Sequence, residues 1–310
     1  MVVVLGKGSY GSVVQKGKRA VKTCALRALG DDFSGWMACA RELHCGGFVH
    51  PHICKRYKVR AKALTLRLCM ELGTPFLVRD ADPSAVLVAV GSALQFLHVH
   101  GIVHRDVKPQ NLILVRGVIK LIDFGLARPT CRGNEMLTGY TVSRWWRPPE
   151  LLTSDADFVY TGKCDMWSLG VVYYQCLHKK IPFHGTAHEM LGMMSQFQPT
   201  GVLRHLLVSV KERFTSTALM RWLDRTPHRH RVRVRAAGCC RCRVPPAPPA
   251  VRQVVDQYKF RKRKSMRVAL LMAYLVCGYE DDALRVCKIL TDRGMTHRHL
   301  LRRLTKLKKL

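Results

Sequence analysis

His104-Arg105-Asp106-Val107-Lys108-Pro109-Gln110-Asn111 is followed, twelve positions after Asn111, by Asp123-Phe124-Gly125. The two segments set a carboxylate, an ammonium group, a carboxamide and a second carboxylate in one short run of chain. His-Arg-Asp alone fits a surface turn in any protein. The complete eight-residue string, with Asp-Phe-Gly at that distance, is far more specific.

The pair of segments resembles the catalytic and metal-binding loops of eukaryotic-type serine/threonine protein kinases. That resemblance implies an α+β, two-lobed fold with a small β-rich N-lobe and a mainly helical C-lobe. It also implies ATP and Mg²⁺ as cofactors and protein Ser/Thr hydroxyls as substrates. Phosphoryl transfer spreads charge over oxygens, so positioning and charge neutralisation carry the rate. By resemblance, Asp106 accepts the substrate hydroxyl proton or orients that hydroxyl. Lys108 lies near the moving phosphoryl group, and a lysine there is the serine/threonine form. Asn111 and Asp123 hold Mg²⁺, a hard cation that prefers oxygen.

Gly6-Lys7-Gly8-Ser9-Tyr10-Gly11-Ser12-Val13 fits the glycine-rich loop of the same family, with Val2 to Leu5 as the strand before it. Glycines let a backbone approach phosphates closely. The spacing alone also marks dinucleotide-binding folds, but those need a helix opening at the third glycine. Val13-Val14 instead reads as a second strand. Leu5 and Val13 are then expected over the adenine.

Gln15 to Arg19 reads as a polar turn into Ala20-Val21-Lys22, whose lysine matches the one that grips the α- and β-phosphates. The nine-position step from Val13 to Lys22 is short for the family and requires a tight hairpin. A helix is expected around residues 36–45, with Glu42 twenty positions after Lys22 as its ion-pair partner. Leu64 to Glu71 alternates like a strand running into a hinge. Met70 matches the gatekeeper, and the Glu71 carbonyl and Gly73 amide would face adenine. Residues 74–83 leave little room for the helix that usually follows. Ser84 to His100 reads as a buried helix, capped by Ser84 and stopped at Gly101.

Thr138-Gly139-Tyr140 and the run to Pro148-Pro149-Glu150 resemble the cyclin-dependent and mitogen-activated kinase group, with Pro148 where the family has alanine. Arg147 then implies a preference for Ser/Thr-Pro substrates. Phosphorylation of Thr138 or Tyr140 would supply charge for Arg105 to receive, and an unmodified turn is the alternative. Asp165 to Gly170 matches the segment whose aspartate braces the catalytic loop. The buried arginine expected to pair with Glu150 is sought after Leu223-Asp224-Arg225, at Arg229 or Arg231.

The chain has 310 residues and a net charge of +31. Residues 221–310 hold 24 Lys/Arg against 6 Asp/Glu. Four sections follow: an N-lobe and hinge over 1–73, a C-lobe over 74–235, a Cys/Pro-rich connector over 236–250 and a basic helical segment over 251–310. Such a field favours an acidic protein, nucleic acid or an anionic membrane as contact for the basic C-terminus. Leu300, Leu301, Leu304 and Leu307 share one helical stripe there, and a helix docked on the lobe is the plainer reading.

Lys259 to Lys264 fits a nuclear-import signal, so the expected location is intracellular, nucleus before cytoplasm. Thirteen scattered cysteines without a secretory signal point to a reducing compartment. Cys239, Cys240 and Cys242 lack the paired spacing of a zinc site. Residues 267–277 are apolar but too short to span a bilayer. The compact N-lobe and divergent C-terminus resemble kinases of large DNA viruses. Two other readings stay open: a pseudokinase scaffold, and a nucleic-acid-binding protein acting through its basic tail.

Overall fold

The structure is a computed structural model, and it describes residues 3–8, 11–25, 38–39, 41–42, 45, 47–62, 65–129, 144–153 and 161–225. Five antiparallel strands come first: β1 (Val3–Gly8), β2 (Gly11–Lys16), β3 (Arg19–Ala25), β4 (Arg56–Lys62) and β5 (Thr65–Glu71). They lie in the order β1-β2-β3-β5-β4. The short step to Lys22 is met by a two-residue turn, Gly17-Lys18, between paired Lys16 and Arg19. Gly17 sits at φ 58°, where a side chain is strained. Residues 38, 39, 41, 42 and 45 are helical, as expected around Glu42.

One face of this sheet is apolar and closed: Leu66 and Leu68 of β5 are fully buried. Period-two alternation puts Ala20, Lys22 and Cys24 of β3 on that same inner face. Gly11 serves packing as well as any loop role. A Cβ there would collide with the Thr23 carbonyl across the β2–β3 pair.

After the hinge come β6 (Thr74–Pro75) and only a single 3₁₀ turn, Val78–Asp80, so the connection is as reduced as its length requires. Helix α1 spans Pro83–Val99. Its cap is Asp82, not Ser84: the Asp82 side chain accepts from the Ser84 amide at 2.9 Å. Pro83 occupies the first helical position, where its missing N–H costs nothing, and the cap lies two residues earlier than the serine suggests. Val86, Val90, Leu94 and Leu97 of α1 are buried at helical spacing.

Short strands carry the catalytic segments. β7 (Ile102–Val103) pairs with β10 (Arg128–Pro129), and β8 (Leu112–Val115) lies between β6 and β9 (Val118–Leu121). A two-residue turn with Arg116 and Gly117 both at positive φ closes the β8–β9 hairpin, matching its twist. The helical lobe continues with α2 (Lys163–His178), α3 (Ala187–Gln196), α4 (Leu203–Leu206) and α5 (Ser216–Arg225). Residues 164–172 of α2 are all buried, so α2 is the central post of the lobe. Both α2 and α5 pack on α1. Among the described residues no helix is long and apolar enough to cross a membrane. The connector, the basic segment, and the cysteine and import-signal readings at 226–310 lie outside the described residues, as do Thr138, Tyr140, Arg229 and Arg231.

Candidate active site

Three distant stretches meet at Lys22. Its Nζ lies 3.2 Å from Glu42 Oε2 and 3.0 Å from Asp123 Oδ1. Strand β3 places the lysine on the inner sheet face, the helix at 38–45 supplies Glu42, and the loop after β9 supplies Asp123. Glu42 Oε2 also accepts the Phe124 amide at 3.0 Å, and Arg41 donates to the Gly125 carbonyl at 3.1 Å. That helix is therefore tied to Asp-Phe-Gly at two points.

Burial works against charge on Lys22, but Glu42 and Asp123 outweigh it and raise its pKa. For Asp123, burial pushes the carboxyl up while Lys22 and hydrogen bonds pull it down to about 2. The pair is ionised at neutral pH. Asp123 sits at φ 63°, a backbone region uncommon for a side-chain-bearing residue. Its Oδ1 accepts from the Gly125 amide at 3.4 Å.

A second cluster forms on the catalytic loop between β7 and β8. Lys108 Nζ lies 2.9 Å from Asp106 Oδ2. Asn111 Nδ2 donates to the same Oδ2 at 2.6 Å and to the Asp106 carbonyl at 2.7 Å. Burial raises the Asp106 pKa, with Lys108 and Asn111 offsetting part of it. The carboxylate is thus held in place yet more basic than an exposed one.

Asp165, fully buried at the start of α2, braces this loop. Its Oδ2 accepts from the His104 amide at 2.8 Å and its Oδ1 from the Arg105 amide at 2.7 Å. His98 Nε2 lies 2.9 Å from Oδ2. Arg105 adopts φ 70°, which the two flanking amide bonds help to hold. His104 packs edge-on to Phe124 with centroids 5.1 Å apart, linking the loop to Asp-Phe-Gly.

The phosphate and adenine candidates line up along the sheet. Gly6 is close to the turn, and no described residue lies within 4 Å of where its Cβ would be. Gly8 pairs with Gly11 and Lys7 with Ser12 at the β1–β2 turn. Ser9 and Tyr10 lie outside the described residues. Val13 pairs with Lys22, Leu5 is exposed, and Met70 sits opposite Ala20. Gly73 has a packing reason too, since a Cβ there would come 2.7 Å from the Leu114 carbonyl. Glu71 is partly committed elsewhere. Its carboxylate takes the Lys55 amide at 2.8 Å and Lys120 Nζ at 3.0 Å, and the Cys54 thiol lies 4.0 Å from its carbonyl.

One expectation is corrected. Glu150 pairs with Arg213, not with Arg229 or Arg231. The two N–O contacts are 2.5 and 3.0 Å, and Arg213 is almost wholly buried. Arg213 also donates to the Val208 and Lys163 carbonyls, and its guanidinium lies 4.9 Å from the Trp167 ring centre. The sequence signal lay just before α5. Arg213 and Phe214 precede Thr215, whose hydroxyl accepts from the Ala218 amide and caps that helix.

The oxygen donors fit a divalent cation. Both hydrogen bonds from Asn111 use its nitrogen, which leaves its oxygen for a cation, and Asp123 is ionised. No grouping of three or more His, Cys, Asp or Glu suited to a metal occurs among the described residues.

Comparison with known proteins agrees with this geometry. The protein kinase domain family matches residues 1–232. Mitogen-activated protein kinase 3 of Arabidopsis thaliana is 44% identical over 96 residues, covering 31% of this chain and 25% of that protein. Mitogen-activated protein kinase 6 of the same plant is 41% identical over 112 residues, 33% of this chain and 28% of the relative. Mitogen-activated protein kinase 15 of Xenopus laevis is 30% identical over 244 residues, 70% of this chain and 41% of the relative. The chain thus spans between a quarter and two fifths of the length of these relatives.

Proposed function

Because this chain belongs to the protein kinase domain family, we propose that it transfers the γ-phosphate of ATP to Ser and Thr hydroxyls of proteins. The observation that carries the proposal is the meeting of Lys22, Glu42 and Asp123 beside an ordered Asp106–Lys108–Asn111 cluster. A scaffold without transfer would have no need of either.

Each residue then has one task. Lys22, held by Glu42, neutralises the α- and β-phosphates. Asn111 and Asp123 would hold Mg²⁺, which supplies charge neutralisation to the triphosphate. Asp106 orients the incoming hydroxyl and takes up its proton, and its raised pKa favours that role. Lys108 neutralises charge on the moving phosphoryl group. The backbone from Gly6 to Ser12 covers the phosphates, Leu5 and Val13 cover adenine, Met70 closes the back, and Glu71 and Gly73 offer backbone contacts at the hinge.

Arg147 beside Pro148 supports a Ser/Thr-Pro preference, in keeping with the mitogen-activated relatives. Regulation through Thr138 or Tyr140, contact of the basic C-terminus with acidic protein, nucleic acid or anionic membrane, and nuclear residence belong to the same proposal. Labelled γ-phosphate transfer to Ser-Pro and Ser-Ala peptides, by wild type and Asp106→Asn, tests it. A loss of roughly 10²–10⁴ in the variant is expected. Equal transfer by both proteins would remove Asp106 from the assigned role.

A further inference from the structure

The outer face of the five-stranded sheet carries a pattern that catalysis does not use. Register assigns its rows. Lys16, Arg19 and Glu71 form one row. Val4, Val14, Val21, Cys69 and Lys58 form the next. Ser12, Thr23, Arg67 and Arg60 form a third. Neighbouring rows are two residues apart along each strand, about 6.6 Å. An apolar row across four strands is thus flanked by cations on both sides and ends in a lysine.

Among the described residues no carboxylate forms an ion pair with these cations. Lys16, Arg19, Lys58, Arg60 and Arg67 are all exposed. Arg60 and Arg67 stand directly opposite each other, an arrangement that destabilises an antiparallel pair unless an anion lies between them. Glu71 is the one carboxylate in these rows, and Lys120 occupies it. Val4 is 56% exposed, so the apolar row opens to solvent at its β1 end.

We propose that this face binds an acidic segment of a partner protein in which carboxylates alternate with apolar residues. The apolar side chains would lie over Val4 and Val14, since Val21 is buried and the Arg19 guanidinium lies against the Cys69 sulfur. The carboxylates would reach Lys16 and Arg19 on one side and Arg60 and Arg67 on the other, where guanidinium forks suit them. A second copy of this chain, at +31, brings repulsion instead. Nucleic acid fits less well. Bases need an aromatic platform, and among the described residues the Tyr57 ring is already covered by Arg19 at 4.3 Å.

The test uses the full chain and fluorescence anisotropy with three labelled probes. They are a peptide alternating Glu/Asp with Val/Leu, one of equal charge with Ser in place of the apolar residues, and a short single-stranded oligonucleotide. The alternating peptide is expected to bind most tightly, and Arg60→Gln/Arg67→Gln to weaken it roughly tenfold, with ATP binding unchanged. Val14→Ser should weaken the alternating peptide and leave the Ser-containing one unaffected, which keeps the proposal testable if the double variant folds poorly. Equal peptide binding by wild type and both variants overturns it. So does an oligonucleotide that binds more tightly than the peptide and is lost in the same double variant.

Discussion

Arg213 grips Glu150 through two contacts of 2.5 and 3.0 Å across sixty-three positions of chain, with both side chains shut away from water. The pair joins the segment leading into α5 to the end of the activation segment. Removing the cation strands a buried carboxylate, so Arg213→Met is expected to cost about 3–5 kcal/mol of unfolding free energy. An apolar replacement of both partners, Arg213→Met with Glu150→Leu, should recover a large part of that. Chemical denaturation of the four proteins in the double-mutant cycle measures both effects. Additive losses would mean that the two groups do not act as a pair.

His50 sits between the sheet lobe and α1, accepting from the His52 amide at 3.1 Å and meeting Ser92 Oγ at 3.3 Å. Burial, with His52 and Lys120 nearby, lowers its pKa from 6.5 to about 4. Between those values the folded protein binds fewer protons than the unfolded chain. Its contribution is therefore complete above about pH 6.5 and declines as pH falls toward 4. After solvent screening of this half-buried ring, about 1–2 kcal/mol is at stake. His50→Asn keeps an acceptor for the His52 amide but does not titrate. Unfolding measured across pH 4–7 should give a flatter profile for the variant, and parallel profiles would assign the slope to other groups.

Contacts between residues of short-range motifs are legible in the sequence. Lys22, Glu42, Asp106, Lys108, Asn111 and Asp123 were each identified from spacing and resemblance, and the fold unites them in two adjoining clusters. That the hairpin at Gly17 is tight follows from arithmetic on the distance to Lys22, while its two-residue length comes from the pairing of Lys16 with Arg19. What failed was partner choice over long range. Apart from the helix-capping Thr215 two positions on, nothing local distinguishes Arg213 from the many other arginines of so basic a chain, because its role depends on burial, which charge-rich sequence conceals. Asp82 displaced Ser84 for a smaller reason, Pro83 fixing the first helical residue. The bond from His98 to Asp165 joins side chains sixty-seven positions apart, and neither residue's neighbours in sequence signal it.

Lys22 stands between two carboxylates, so its removal does more than delete a phosphate contact. In Lys22→Met, Glu42 and Asp123 lose the cation that both share. Phosphate transfer is expected to fall by roughly 10²–10³. The apparent affinity for ATP should fall as well, because the α- and β-phosphates lose their cation. Steady-state kinetics at varied ATP reads both. An unchanged KM for ATP together with an unchanged kcat would place Lys22 outside the nucleotide site.

Asp165 accepts three donors with two oxygens: the His104 amide and His98 at Oδ2, and the Arg105 amide at Oδ1. Asn in its place is nearly isosteric but must turn an NH₂ toward one set of donors. The less costly choice keeps the oxygen on His104 and His98 and sets the NH₂ against the Arg105 amide, at about 1–3 kcal/mol. Arg105 holds a positive φ next to Asp106, so relief of that clash moves the backbone that positions the base. Asp165→Asn is therefore expected to lower kcat while leaving KM for ATP near its wild-type value, since Lys22, Glu42 and Asp123 are untouched. The Asp165 carboxyl, lowered by His98 and backbone amides against the effect of burial, also stabilises the fold above the ordinary carboxylate range. Below about pH 4 that stabilisation is lost as pH falls through its folded pKa. The stability gap between wild type and Asp165→Asn should accordingly narrow in acid, and a gap that stays constant there would show that the amide substitution acts through packing alone.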